Sequence, residues 1–198
     1  MTAKRELLDL QWAQLKHDET YHKDIVLLSI GQRVRHMALH YAKYIAYFFE
    51  AIDRHDEKLY RKTVTDAFII ALATANALNQ NLGKDLGDQT DSELGLDDLG
   101  ASLFNKLKGT DSHQYWMVRE FAQHTGRFAK ACESLDHLEN VPFSDVMKQS
   151  NLGILRVLLA ECSFKRLNLS EAYRVRIAEV ESRSLFAEYH QGNIGGNT

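Results

Sequence analysis

The amino-acid sequence predicts an all-α fold, and three observations carry that expectation. A single proline, Pro142, interrupts 198 residues, and glycine is scarce within the patterned stretches; both residues are penalised in helix interiors. Apolar residues recur at steps of three and four along most of the chain, the spacing that lines one helical face. The stretch around residues 34–86 is also restated around 118–169. A shift of 84 places Val34, Met37, Ala38, Tyr44, Ile45 and Phe48 on Val118, Phe121, Ala122, Phe128, Ala129 and Cys132. His40 and Lys43 fall on His124 and Arg127, and after a one-residue gap Asp66, Ile69, Ile70 and Ala75 fall on Asn151, Ile154, Leu155 and Ala160. A duplicated helical unit implies two hairpins packed with pseudo-twofold symmetry, flanked by N- and C-terminal helices, in a single domain of residues 1–198.

The elements follow in order. Residues 3–17 predict a short helix through Leu7, Leu10, Trp12 and Leu15, ending in the polar break HDETYHKD. A long helix is expected from Lys23, because Ile25, Leu28, Val34, Met37, Tyr41, Ile45, Phe48 and Ile52 share a face; about 30 residues would span about 45 Å. AIDRHDEKLYRK reads as a turn. TVTDAFIIALATANALNQNLG is apolar almost all round, which predicts a buried helix stopped by Gly83. Residues 84–100 are rich in Asp and Gly and read as an acidic surface connection whose spacing does not match a calcium loop. A short helix, ASLFNKLKG, leads to the second copy, expected from His113 to Leu138 and, after ENVPFSD, through VMKQSNLGILRVLLAECSFKRL. Asn168 or Ser170 can cap a last helix, with Glu171 favourable in its first turn, and residues 190–198 are expected to be disordered.

Composition narrows the partners. A net charge of -3 gives no broad basic surface, so a nucleic-acid partner is not expected. The N-terminus lacks an apolar signal region, and no stretch approaches the ~20 apolar residues of a membrane span; a cytoplasmic, soluble protein with no membrane partner is expected. Cys132 and Cys162 lie in apolar patterns without CxxC spacing and read as packing residues.

In its hydrophobic rhythm and turns, residues 34–185 resemble the all-α nucleoside triphosphate pyrophosphohydrolases, namely the MazG-like enzymes, phosphoribosyl-ATP pyrophosphohydrolase and the dimeric dUTPases. TVTDAFIIALATANALNQNL is similar to the family's second helix, and KRLNLSEAYRVRIAEVESRS to its closing segment. The resemblance implies helical hairpins in which E-E-x-x-E on one helix and E-x-x-D on the next hold Mg²⁺ against a triphosphate. The ten corresponding positions here are His40, Tyr41, Tyr44, Thr63 and Asp66 in the first copy and His124, Thr125, Phe128, Lys148 and Asn151 in the second. Only Asp66 is acidic. The resemblance thus speaks for the family's fold and against its usual activity.

Other constellations are weaker. His36 and His40, four apart, could bind a transition metal with Asp66 or His22, although nine histidines in a helical chain produce such pairs by chance. His55-Asp56 matches the dipeptide of HD phosphohydrolases but stands in a polar turn. Both copies keep an imidazole and a cation one turn apart, His40 with Lys43 and His124 with Arg127, which could bind phosphate; the alternative is half-exposed residues whose stems cover apolar surface. Tyr41, Tyr44, Tyr47, Phe48 and Phe49 form an aromatic band read as core or subunit interface. The ligand-binding candidates are therefore His40, Lys43, Tyr44, Asp66, His124, Arg127 and Asn151, with His36, His40 and Asp66 the metal candidates. Three readings of function remain: a non-catalytic nucleotide-binding or protein-interaction module, a divergent Mg²⁺-dependent pyrophosphohydrolase built on Asp66, and a structural helical oligomer, with a homodimer allowed through exposed aromatic residues.

Overall fold

The computed structural model describes residues 1–87, 94–108, 115–185, 187 and 189. These form helices α1 (Ala3–Tyr21), α2 (Lys23–Val26), α3 (Ile30–Asp53), α4 (Glu57–Ala77), α5 (Leu82–Gly87), α6 (Leu96–Lys108), α7 (Trp116–Asp136), α8 (Phe143–Phe164) and α9 (Leu169–Glu181), with no strand among the described residues. The all-α expectation holds. His113, residues 88–93 of the acidic connection and the tail 190–198 lie outside the described residues.

α3 pairs with α4 and α7 with α8, while α3 lies along α7 and α4 along α8. Around this centre α6 packs on α8, α1 on α4 and α5, and α9 on α4. The helices pack because each contributes a stripe of large apolar side chains to the core. Tyr41 and Phe48 of α3 meet Phe121 of α7 edge-on, with ring centroids 5.9 and 5.4 Å apart, and Phe48 also meets Tyr60 of α4 at 5.5 Å. Phe48 and Phe121 are fully buried; burial of a side chain of this size stabilises by about 1.5–3 kcal/mol. The aromatic band is divided by the helix: Tyr41, Tyr44 and Phe48 are core, whereas Tyr47 and Phe49 are exposed. α4 is buried on nearly all sides, as expected, and its buried Thr63, Thr65 and Thr74 hydroxyls donate to the carbonyls of Leu59, Arg61 and Ile70.

Several boundaries differ from the sequence expectation: α1 runs on to Tyr21 through the expected polar break, α8 begins at Phe143 within the expected turn, and α9 ends at Glu181. The long helix from Lys23 is broken at residues 27–29, because Ser29 and Gln32 form a reciprocal capping box that starts α3 afresh; its 24 residues span about 36 Å. The turn after α3 is only residues 54–56, since Asp56 caps α4 through the Leu59 N–H at 2.9 Å. Gly83 does not stop α4. Asn79 does, with φ 48°, while the Gln80 N–H reaches back to the Ala75 carbonyl at 2.8 Å. The same closure, a left-handed non-glycine residue followed by an N–H bonded five residues back, ends α3 at His55, α7 at Leu138 and α8 at Arg166.

Gly83 serves packing instead. A Cβ there would strike the Lys4 backbone, with Cα at 2.9 Å, so glycine permits the close approach of α5 to α1. The connection 84–100 is correspondingly helical at both ends, in α5 and α6. At α9 the cap is Asn168, which accepts from the Glu171 N–H at 2.9 Å, whereas the Ser170 hydroxyl bonds to Glu6 of α1. Cys132 and Cys162 are both buried, and burial pushes the Cys132 thiol up to about 11 and Cys162 upward as well, as packing residues require. None of the described helices is long and apolar enough to cross a membrane.

Candidate functional sites

The two His-plus-cation pairs open onto two different cavities. The first, of about 320 Å³, lies among the end of α1, α2, α3, α4 and α9. Its floor is apolar, from Ile69, Ile70 and Val180, and its polar wall includes His17, Asp18, His22, His36, His40, Lys43, Tyr44, Asp66 and Arg176. Four of the nine histidines thus meet in one place.

Within this cavity the hydrogen bonds fix the tautomers. Lys43 Nζ lies 3.2 Å from His40 Nδ1 and, as an ammonium, can only donate to it. His40 therefore carries its proton on Nε2 and donates to His36 Nε2 at 3.1 Å, which leaves the His36 proton on Nδ1. Burial, then the charges of Lys43, His36 and His22, pull the His40 pKa down to about 4, so the ring is neutral near pH 7. Tyr44 is raised by burial and by Asp66, and Lys43 also stands over the Tyr44 ring at 4.9 Å.

Asp66 is in the cavity wall but already engaged. Arg176 of α9 donates to it from Nε at 2.6 Å and from Nη2 at 3.3 Å, a two-pronged pair with side chains only 13% and 18% exposed. Arg33 is likewise turned to the carbonyls of Val26 and Leu28. Of the metal candidates, His36 and His40 are adjacent, while Asp66 faces Arg176. Among the described residues, the three-residue group with ligand atoms all within 4.8 Å of one another is His17, Asp18 and His22.

The second cavity is a groove of about 510 Å³ on α7 and α8, lined by His124, Arg127, Asp145, Gln149, Gly153 and Arg156. His124 and Arg127 project from consecutive turns of α7 and Arg156 from α8. Gly153 makes the approach possible, since a Cβ there would fall inside the His124 ring. The His124 pKa is lowered by burial and by the charges of Arg127 and Arg156, a cationic cluster around a neutral imidazole. Arg127 makes no hydrogen bond or ion pair with the described residues, and Asp145 is the acid lining the groove.

Asn151 belongs to neither cavity. It is fully buried at the centre of the bundle, where its Oδ1 accepts from the Tyr41 hydroxyl at 2.7 Å and its Nδ2 donates to Ala71 O and Gln80 Oε1, each at 3.1 Å. Sequence reading missed His17 and Asp18, which it placed in a polar break, and Arg156 and Arg176, which carried no motif. Tyr41, Tyr44, Thr63, Thr125 and Phe128, standing where the resemblance would put acids, are all buried. No family model, no curated protein and no solved structure matches this chain.

Proposed function

We propose that this protein is a non-catalytic binding module, one that takes a phosphate-bearing small ligand in the α7–α8 groove and does not hydrolyse it. The carrying observation is the clustering of Arg127, Arg156 and His124 around that groove. Two guanidiniums facing one groove outweigh its one lining carboxylate, Asp145, and a dianionic phosphate offsets that excess while accepting charge-assisted hydrogen bonds from a guanidinium fork. In the histidine cavity Arg176 and Arg33 are committed to Asp66 and to backbone carbonyls, whereas Arg127 makes no hydrogen bond or ion pair with the described residues.

The resemblance to MazG-like pyrophosphohydrolases supplies the ligand class, nucleotides, and Asp66 bears on the loss of activity. A hydrolase needs carboxylate oxygens for Mg²⁺, and here both oxygens of Asp66 accept from Arg176. Isothermal titration of nucleoside triphosphates and inorganic pyrophosphate in the absence of divalent metal tests the reading. Binding is expected to weaken about 10- to 100-fold in Arg127→Ala, the value of a charged hydrogen bond. Equal binding by wild type and Arg127→Ala, or no binding at all, removes the groove as the site.

A further inference from the structure

Polar atoms that the fold buries without a partner gather at the end of α1. Gln14 lines the histidine cavity, is 1% exposed, and its Oε1 has no hydrogen-bond partner among the described residues. The Gln14 amide cannot simply be turned round, because its Nε2 donates to Asp18 Oδ1 at 2.8 Å and the reversed amide would set oxygen against carboxylate. Arg33 Nε and the Tyr173 hydroxyl are also buried without partners, and both groups act electrostatically on Asp18 or feel its charge. Gln14 and Arg33 line the same cavity as His17, Asp18 and His22.

We propose that this cluster is a transition-metal site that takes Zn²⁺ through His17, Asp18 and His22. The donor set of two imidazoles and one carboxylate suits zinc and is poor for Mg²⁺, which prefers an all-oxygen shell. Each residue presents a ligand atom within 4.8 Å of the other two. Ligand atoms around a tetrahedral zinc lie about 3.4 Å apart, so the site closes by side-chain movements of about 1 Å.

The surroundings are those a metal-binding imidazole needs. The His17 side chain is 3% exposed, and its Nδ1 lies 2.9 Å from Glu181 Oε1 on α9. A carboxylate on one ring nitrogen fixes the orientation of the ring and leaves Nε2, with its lone pair, for a metal. Asp18 keeps Oδ2 available, since Gln14 bonds to Oδ1. His22 is the C-cap residue of α1, and its backbone N–H bonds the Asp18 carbonyl, which holds these two ligands on one turn. Asp18 and Glu181 together balance a dication. Arg33 is the opposing charge; it is the weakest of the charges acting on Asp18, and its Nη2 is held by Val26 and Leu28 carbonyls.

Three protein ligands leave a fourth position for water or for a donor atom of a small molecule entering the 320 Å³ cavity, where the His36–His40 pair also stands. The site shares no residue with the α7–α8 groove, and its test uses the metal ion alone, so either reading can fail without the other.

The experiment is titration calorimetry of ZnCl₂ into full-length protein first stripped with chelator, together with X-ray absorption at the zinc edge. One zinc per chain is expected, with nitrogen and oxygen scatterers at about 2.0–2.1 Å. Asp18→Asn and His22→Ala, checked for native helicity, should weaken binding more than about 100-fold, and Glu181→Gln by about 10-fold. His137→Ala, at an exposed position, should bind as the wild type does. No zinc binding by the wild type, or affinity unchanged in both folded ligand variants, overturns the proposal. A sulfur-containing shell in the absorption spectrum also overturns it, because no cysteine is in the cluster.

Discussion

Replacing Asn151 by aspartate should destabilise the protein far more at neutral than at acid pH. The substitution is nearly isosteric, and it places an acid at the position that aligns with Asp66 in the duplicated sequence. In the structure, however, Nδ2 of Asn151 is the donor to two acceptors, Ala71 O and Gln80 Oε1, at 3.1 Å each. An aspartate offers them lone pairs. Its neutral form can satisfy one of the two through a single O–H, leaving the other bare at a cost of about 1–3 kcal/mol. Holding that acid neutral at pH 7, about three pH units above its ordinary titration, costs about 4 kcal/mol more. The account therefore predicts a loss of about 5–7 kcal/mol at pH 7 but only about 1–3 kcal/mol at pH 4, where the protonation cost has nearly gone. For a chain of this length the neutral-pH loss corresponds to a fall in Tm of roughly 10–25 °C. Urea denaturation followed by circular dichroism, with wild type and Asn151→Asp compared at each pH, measures both values. A loss below about 1 kcal/mol at pH 7, or the same loss at both pH values, would refute the assignment of Asn151 as a buried donor.

Two further outcomes are expected. Gly83→Ala should cost about 1–3 kcal/mol, because its Cβ meets the Lys4 backbone, which cannot swing aside; Gly87→Ala, with nothing within 4 Å, should be neutral or slightly stabilising, and thermal denaturation of the two variants reads the contrast. Stability should fall as pH drops from about 6.5 towards 4: His40 has its folded pKa lowered to about 4 by burial and by Lys43, His36 and His22, so the unfolded chain takes the proton first. His124 acts in the same direction and Asp18, raised by burial, in the opposite one, so His40→Gln should flatten the urea midpoint profile in this window without abolishing its slope.

The helices were legible where the signal was local and periodic. The stripe of Val34, Met37, Tyr41, Tyr44 and Phe48 reads directly as the buried face of α3, and the apolar run around Phe68 and Leu72 as a helix buried on all sides. The break before α3 was also local, since Ser29 and Gln32 have capping-box spacing, but the apolar rhythm of Leu28 and Val34 runs across it and masked the signal. The stop at Asn79 carries little sequence signal, because a left-handed position more often holds glycine. Pairings across the chain left no such trace. Arg176 meets Asp66 across 110 residues, and Asn151 meets Ala71 and Gln80 across 80 and 71, so no periodicity could reveal them. The run HDETYH holds His17, Asp18 and His22, but it reads as a polar break, because nothing in its spacing shows that α1 continues through it to Tyr21. What the sequence could not supply was Glu181, which arrives from α9 to orient the ring.

The claim that this chain binds a phosphate-bearing ligand and leaves it intact is tested most directly by ³¹P NMR of a nucleoside triphosphate in the presence of the protein and Mg²⁺. The account predicts that the phosphate resonances broaden or shift as protein is added, that Arg127→Ala removes the effect, and that no pyrophosphate resonance grows in. A pyrophosphate signal that appears with the wild type and vanishes with Asp66→Ala would contradict it, and would give Asp66 a metal-holding role despite its pairing with Arg176.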